Sequence, residues 1–383
     1  MVAVLFFVGS LFPALGFFYV YPFIFSYVAD HWQYLPCLGI IALGTESVVY
    51  FARQAEQRSS VARHRIVRTV FALGTTLLVG TLFTLTWRQS KVYQNVTTLY
   101  TDTLEKNPAC WMAHNNLGLH LIASGAPTEG IAHLEKALLL NPAYTDAYNN
   151  LGNALAKIPA RMTEAISALE TALRLDSTMV EAHHNLGALL IQYPPRVAEG
   201  IAHLRQALAL QPDLPRTYFL LGTALLEQPG QLTEAGIALE RAVRLDPNNA
   251  DAHNNLGGVL LQLGRAPAAI IHFQAALQLA PESAEAHFNL GRAHRLCGDW
   301  PAAISEYQQA IPLAPQRAEI RNSLGSAYYQ LERYDEAVAA YTEAVRLQPD
   351  VPSYHYNLGL ALQQTGRAHE AAVEFKTAGQ SPP

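Results

Sequence analysis

The sequence predicts an all-α protein: a right-handed superhelix of stacked helical hairpins, an α-solenoid, preceded by transmembrane helices. Three observations predict it. Glycines recur at intervals of 34 or 35 residues from position 118 onward. A small residue follows each at a fixed distance, and then a residue that ends a helix. Before the array, the chain carries three long apolar stretches and no charged residue ahead of Asp30.

The apolar region comes first in the chain. Segments 2–20, 35–52 and 69–87 approach the roughly 20 residues that a helix needs to cross a hydrocarbon core. The second carries Glu46. A removed signal peptide fits poorly, since no basic region precedes the first segment and two more apolar stretches follow. Tyr19, Tyr21, Tyr27, Trp32, Tyr34 and Trp87 stand at segment edges, where amphipathic rings favour the headgroup level. Arg53, Arg58, Arg63, Arg65 and Arg68 crowd the connection between the second and third segments. That makes it the cytoplasmic loop under the positive-inside rule, against only Arg88 and Lys91 beyond the third segment. The expected protein is therefore integral to a membrane. Its repeats are extracytoplasmic, in a bacterial periplasm or, in a eukaryote, the endoplasmic reticulum lumen, where Asn95-Val96-Thr97 would form a glycosylation sequon.

Residues 90–110 form a connector, with a helix over 93–106 ending at Asn107-Pro108, and residues 111–383 form eight repeats. The marker is Leu-Gly, with glycines at Gly118, Gly152, Gly187, Gly222, Gly257, Gly291, Gly325 and Gly359. The small residues are Gly130, Ala165, Gly200, Ala235, Ala269, Ala303, Ala337 and Ala371. Glycine inside a helix costs about 1 kcal/mol relative to alanine, so its recurrence implies a close helix crossing that compensates. Four places after each small residue stands a large one: Leu134, Leu169, Leu204, Leu239, Phe273, Tyr307, Tyr341 and Phe375. These are expected to fill the seam between hairpins. Pro142, Pro212, Pro247, Pro281, Pro315, Pro349 and Pro383 end the second helices, because proline cannot continue a helix; Ser177 is the exception. The 35-residue periods place their extra residue in the turn, at Pro159, Pro194-Pro195 and Pro229-Gly230.

This pattern resembles the tetratricopeptide repeat family, whose helix–turn–helix unit shares the period. The resemblance implies that the first helix of each hairpin lines a concave face. No polar capping helix follows the eighth repeat, although a solenoid needs its last face covered. Either the chain continues in life, or the final hairpin frays.

Ahead of the Leu-Gly pairs stand the candidate peptide-binding residues: Asn115, Asn116, Asn149, Asn150, Asn185, Asn254, Asn255, Asn289, Asn322 and Asn357. Their setting is similar to the repeats of O-GlcNAc transferase, which implies an asparagine ladder along extended peptide. An amide both donates and accepts, so it can pair with a peptide bond whatever the side chain. The alternative use is bonding between neighbouring helices. Leu220 and Ser323 interrupt the ladder. Groove positions of neutral Asn, His and aromatic character disfavour the repeat domains that clamp a terminal carboxylate with Lys and Arg. His114, His183, His253, His287 and His355 share one slot and read as packing residues rather than metal ligands.

Bulk composition narrows the function further. A net charge of −5 without a long basic run argues against nucleic acid as partner. Cys37, Cys110 and Cys297 form no CxxC pair and are expected as lone, mostly buried thiols. No catalytic set, metal site or cofactor motif is evident, and nothing fixes an oligomeric state. The expected activity is that of a non-catalytic, membrane-anchored scaffold binding proteins or extended peptides. One further resemblance qualifies this. The run Ala29-Asp30-His31-Trp32-Gln33-Tyr34-Leu35-Pro36, then spans and repeats, is similar to the C-terminal part of transmembrane, repeat-bearing protein O-mannosyltransferases. It implies an alternative: the tail of a glycosyltransferase using a lipid-linked sugar, its repeats holding the acceptor protein. A start inside an apolar run, as in a truncated reading frame, agrees with that alternative.

Overall fold

The computed structural model describes residues 95–379, with Tyr50, Gln54 and scattered helical positions between 69 and 87. The segment 2–20 lies outside the described residues, as does 35–52 apart from Tyr50. In the third segment the described positions are helical, and Val70, Leu73, Leu77 and Trp87 are exposed. The hydroxyls of Thr81 and Thr84 bond back to the carbonyls of Leu77 and Gly80, each at 2.8 Å. Among the described residues no helix is long and apolar enough to cross a membrane.

The array is all-helical. A helix Val96–Lys106 starts where the Asn95 carboxamide accepts from Thr98 N at 2.8 Å, a capping contact that satisfies an otherwise orphan donor. Eight hairpins follow. Hairpin 1 pairs Trp111–Ala123 with Pro127–Leu140, hairpin 2 Thr145–Leu155 with Met162–Leu175, and hairpin 3 Val180–Leu190 with Val197–Leu210. Hairpin 4 pairs Pro215–Leu226 with Leu232–Leu245, hairpin 5 Ala250–Gln262 with Ala266–Leu279, and hairpin 6 Ala284–Leu296 with Trp300–Leu313. Hairpins 7 and 8 pair Ala318–Gln330 with Tyr334–Leu347, and Pro352–Gln364 with Ala368–Thr377. Six second helices stop two residues short of the terminating proline, whose ring excludes the α conformation from the residue before it. In hairpins 2 and 3 the turn is a short 3-10 segment, Pro159–Arg161 or Pro194–Arg196.

The glycine of each first helix marks where its partner crosses. A Cβ on Gly152 would meet Leu169 Cγ at 2.5 Å, and one on Gly291 would meet the Tyr307 ring at 2.6 Å. The sequence places the large residue in the seam between hairpins, and in the structure it also lies directly over the glycine of its own hairpin. Leu134 and Leu169 are fully buried in one cluster with Leu151 and Leu155, and with Leu186 and Leu190 of the next hairpin. Core and seam are therefore continuous along the stack, as a solenoid requires.

One cysteine expectation also fails. Cys297 is exposed and Cys110 half-buried, because Cys297 follows the last turn of Ala284–Leu296, beside the turn glycine Gly298.

Candidate functional site

Successive first helices approach one another more closely than successive second helices do, except between hairpins 3 and 4. First helices therefore form the inner side of the stack. The candidate asparagines sit on that side, at the seams. Asn115, Asn149 and Asn289 are buried, and the other seven are half-buried.

Their hydrogen bonds follow a rule. The asparagine next to Leu-Gly in one hairpin donates its Nδ2 to the carboxamide oxygen one place earlier in the preceding hairpin. Asn150 donates to Asn115 at 3.0 Å, Asn185 to Asn149 at 2.9 Å, Asn289 to Asn254 at 3.2 Å and Asn357 to Asn322 at 2.9 Å. Asn255 donates instead to Thr223 Oγ1 at 3.2 Å, and Asn115 also donates to Asn116 Oδ1 at 3.0 Å. The asparagines are joined into inter-hairpin bridges, the second of the two uses the sequence allows. A carboxamide has two N–H donors and an oxygen with two lone pairs. Each bridge therefore leaves bonding capacity on both partners.

Where the ladder breaks, the seam changes. At hairpin 4 Phe219 and Leu220 replace the asparagines, and His184 Nδ1 meets Thr217 Oγ1 at 2.8 Å instead. Burial, and then the charge of Arg216, push the His184 ring below the usual histidine range. A recess of about 280 Å³ opens here, with Asn149, Glu181, Asn185, Leu214 and Arg216 in its wall. At the second break, Arg317 spans the seam, bonded to Glu285 and Glu319 with its guanidinium 4.4 Å from the Phe288 ring. Arg292 approaches the same ring at 5.7 Å.

Neither arginine stands at a ladder position, so the neutral Asn, His and aromatic character read there from the sequence is unchanged. Arg317 was missed because it stands in the loop before a first helix, outside the ladder positions. The histidine slot is filled as expected by packing residues, but each ring also bonds a second-helix residue that spacing alone did not reveal. No group of three metal-ligating side chains converges among the described residues.

Fold and periodic inner face together define a stack of helical-hairpin repeats. The hairpins are tetratricopeptide repeats. Tetratricopeptide repeat models match residues 98–143, 123–180 and 248–316, and a TPR repeat model matches 226–264 and 325–366. No curated protein matches the chain. Among solved structures the array is similar to MamA, at 29% identity over 43% of this chain and 89% of that one, with a TM-score of 0.41. It is similar also to MamA 41-end from Desulfovibrio magneticus RS-1, at 24% identity over 43% and 93%, TM-score 0.41. YrrB, described as a TPR protein with an unusual peptide-binding site, is 24% identical over 49% and 95%, TM-score 0.45.

Proposed function

We propose that the chain is a scaffold that binds extended peptide segments of partner proteins along the inner face of its repeats. The observation that carries this is the bridged asparagine ladder. Bridging fixes each carboxamide in one orientation before a ligand arrives, which lowers the ordering cost of binding. The remaining donor and acceptor capacity of these bridges, less the second N–H of Asn289, which Glu285 takes at 3.1 Å, is offered in series at a spacing set by the hairpins. The recess between hairpins 3 and 4 interrupts the ladder and offers an apolar and polar wall to one ligand side chain. In this reading, Asn115, Asn116, Asn149, Asn150, Asn185, Asn254, Asn255, Asn289, Asn322 and Asn357 are the peptide-facing set.

Membrane attachment belongs to the same proposal. Support comes from the three apolar segments, from the exposed apolar positions Val70, Leu73 and Leu77, and from the back-bonded hydroxyls of Thr81 and Thr84. A hydroxyl bonded to its own helix is satisfied without water, as a lipid-facing helix requires.

The test is peptide capture by the full chain in detergent micelles, read on an array of random 12-residue peptides. Hits are then measured by fluorescence anisotropy. Replacing Asn116, Asn150 and Asn185 together by Ala should weaken the hits by about 100-fold, at about 1 kcal/mol per lost bond. Helical circular dichroism should be retained. Unchanged affinity in a folded variant would sink the ladder reading.

A further inference from the structure

Five of the eight hairpins share a histidine arrangement that peptide binding does not use. His114, His183, His253, His287 and His355 each place Nε2 on the carbonyl six residues earlier. The distances are 3.2 Å to Pro108, 3.1 Å to Ser177, 3.1 Å to Pro247, 3.2 Å to Pro281 and 2.8 Å to Pro349. A carbonyl only accepts, so Nε2 carries the proton and a neutral ring turns the Nδ1 lone pair toward the second helix. What waits there differs. In hairpins 1, 3 and 5 it is Nδ1 of His133, His203 or His272, at 2.9, 2.9 and 3.1 Å. In hairpins 6 and 8 it is a carboxylate oxygen, Glu306 at 2.7 Å or Glu374 at 2.5 Å.

The two pairings need different protons. A histidine pair closes with both rings neutral, the second-helix ring donating Nδ1–H to the first. One added proton enters the outer Nε2 of the second-helix ring and sets a charge in a half-buried seam. A second must occupy the accepting Nδ1, which leaves two donors facing each other and no bond. A histidine–carboxylate pair is the reverse. Lone pair faces lone pair until Nδ1 is protonated, and the proton then makes a charge-assisted bond.

We propose that these pairs are proton-sensitive clasps of opposite sign: acid loosens hairpins 1, 3 and 5 and tightens hairpin 8. The inference is independent of peptide binding. Surrounding charges do not reverse it. Around His133 stands Glu129, and around His203 stand Glu199, Glu170 and Arg196, the two carboxylates being bonded to Arg196. Around His272 stands Glu240. The loop carboxylates Asp176 and Asp246 accept from the backbone of Thr178 and Asn248 instead. Despite these carboxylates, burial first and the facing ring second hold His133, His203 and His272 below the usual range. Their stabilisation is complete above the unfolded value near 6.5 and is lost as pH falls through the lowered folded value. Burial alone would lower His355, but the Glu374 bond, the Pro349 carbonyl and the Glu374 charge together raise it. Its stabilisation is complete below about 6.5 and is lost as pH rises through the raised value.

Hairpins 2, 4 and 7 are internal references, since Tyr148, Tyr218 and Arg321 fill the slot opposite Ala168, Ala238 and Ala340. The experiment is hydrogen exchange of the full chain at pH 7.5 and 5.5, corrected for intrinsic rates and resolved by hairpin. Protection of hairpins 1, 3 and 5 should fall relative to hairpins 2 and 4 on acidification, by at most about tenfold per histidine, since pH 5.5 lies about one unit below the unfolded value near 6.5. Protection of hairpin 8 should rise. The second arm is the triple variant His133→Glu, His203→Glu, His272→Glu, which installs the pairing of hairpins 6 and 8. Its first, third and fifth hairpins should gain protection on acidification. Equal pH responses in all hairpins, or an unchanged response in the triple variant, would overturn the inference.

Discussion

In hairpins 1 to 4 the residue over the first-helix glycine is a leucine: Leu134, Leu169, Leu204 or Leu239. In hairpins 5 to 8 it is a ring: Phe273, Tyr307, Tyr341 or Phe375. All eight are buried, and seven of the eight are exposed by less than 3%. The same glycine therefore admits two shapes. A leucine sets its branch point 2.5–3.0 Å from the missing Cβ, while a ring lies along it with three atoms at 2.6–3.1 Å. The glycine spacing fixes where helices cross, and the large residue fixes what fills the crossing. With Gly130 and Gly200 opposite Gly118 and Gly187, hairpins 1 and 3 bring backbone against backbone. A Cβ on Gly130 would stand 2.5 Å from the Gly118 carbonyl. Hairpins 5 to 8 hold Ala at that position and a larger side chain four places on.

The largest break in this comparison comes from deleting the large residue. Phe273→Ala should cost about 4 kcal/mol and Leu204→Ala about 3 kcal/mol, from lost transfer energy plus the void left behind. Repeat arrays need not unfold in one step. The readout is therefore exchange protection of the mutated hairpin and its two neighbours, not a single denaturation midpoint. If the leucine deletion costs as much as the ring deletion, ring packing adds nothing beyond volume.

How much of this was legible in the sequence follows the range of each interaction. Gly118 through Gly359, their small partners and the large residues recur on one period, so helix crossings and core could be placed from spacing. The turn position of the extra residue at Pro159 and Pro194 was legible for the same reason. The asparagines were found as a set, but Asn150 to Asn115 and Asn185 to Asn149 are bonds 35 and 36 residues apart. Spacing located the residues and left their two uses open, because a carboxamide serves either. The partners of the slot histidines were not seen, although a signal was present. The residue just before each large residue is His or Glu opposite a histidine, and Ala opposite Tyr148, Tyr218 or Arg321. Arg317 was missed because its role depends on Phe288, Glu285 and Glu319 from both sides of one seam.

Within the aromatic half, Tyr307 sharpens the comparison. Its hydroxyl is buried with no partner in hydrogen-bond geometry, and burial pushes the phenol up from its usual range against a smaller opposing pull from nearby Arg295. An unsatisfied buried hydroxyl costs roughly 1–3 kcal/mol. Tyr307→Phe should therefore leave the ring packing on Gly291 intact and stabilise hairpin 6 by about 1 kcal/mol. Exchange protection of hairpin 6 and its two neighbours reads this directly. A destabilised variant would mean that the hydroxyl is bonded in solution, with Arg295, whose charge acts on it, the first partner to examine.

The smallest effect lies in the turns. Gly125, Gly264, Gly298 and Gly366 close hairpins 1, 5, 6 and 8 with φ between 74° and 91°, and hairpin 7 places Glu332 there at φ 59°. A side chain in this left-handed region costs roughly 1–2 kcal/mol through its Cβ, whereas glycine reaches it freely. Glycine also loses more freedom on folding, which subtracts up to about 1 kcal/mol from the gain. Glu332→Gly should thus raise the stability of hairpin 7 by about 0.5–1 kcal/mol. Gly298→Glu, the reciprocal change in hairpin 6, should lower stability by a similar amount. Glu332→Gln separates backbone strain from the charge change, because it removes the charge and keeps the Cβ, so strain predicts no gain there. A gain in Glu332→Gln equal to that in Glu332→Gly would show that local charge governs this turn and that the positive φ of Glu332 carries no cost.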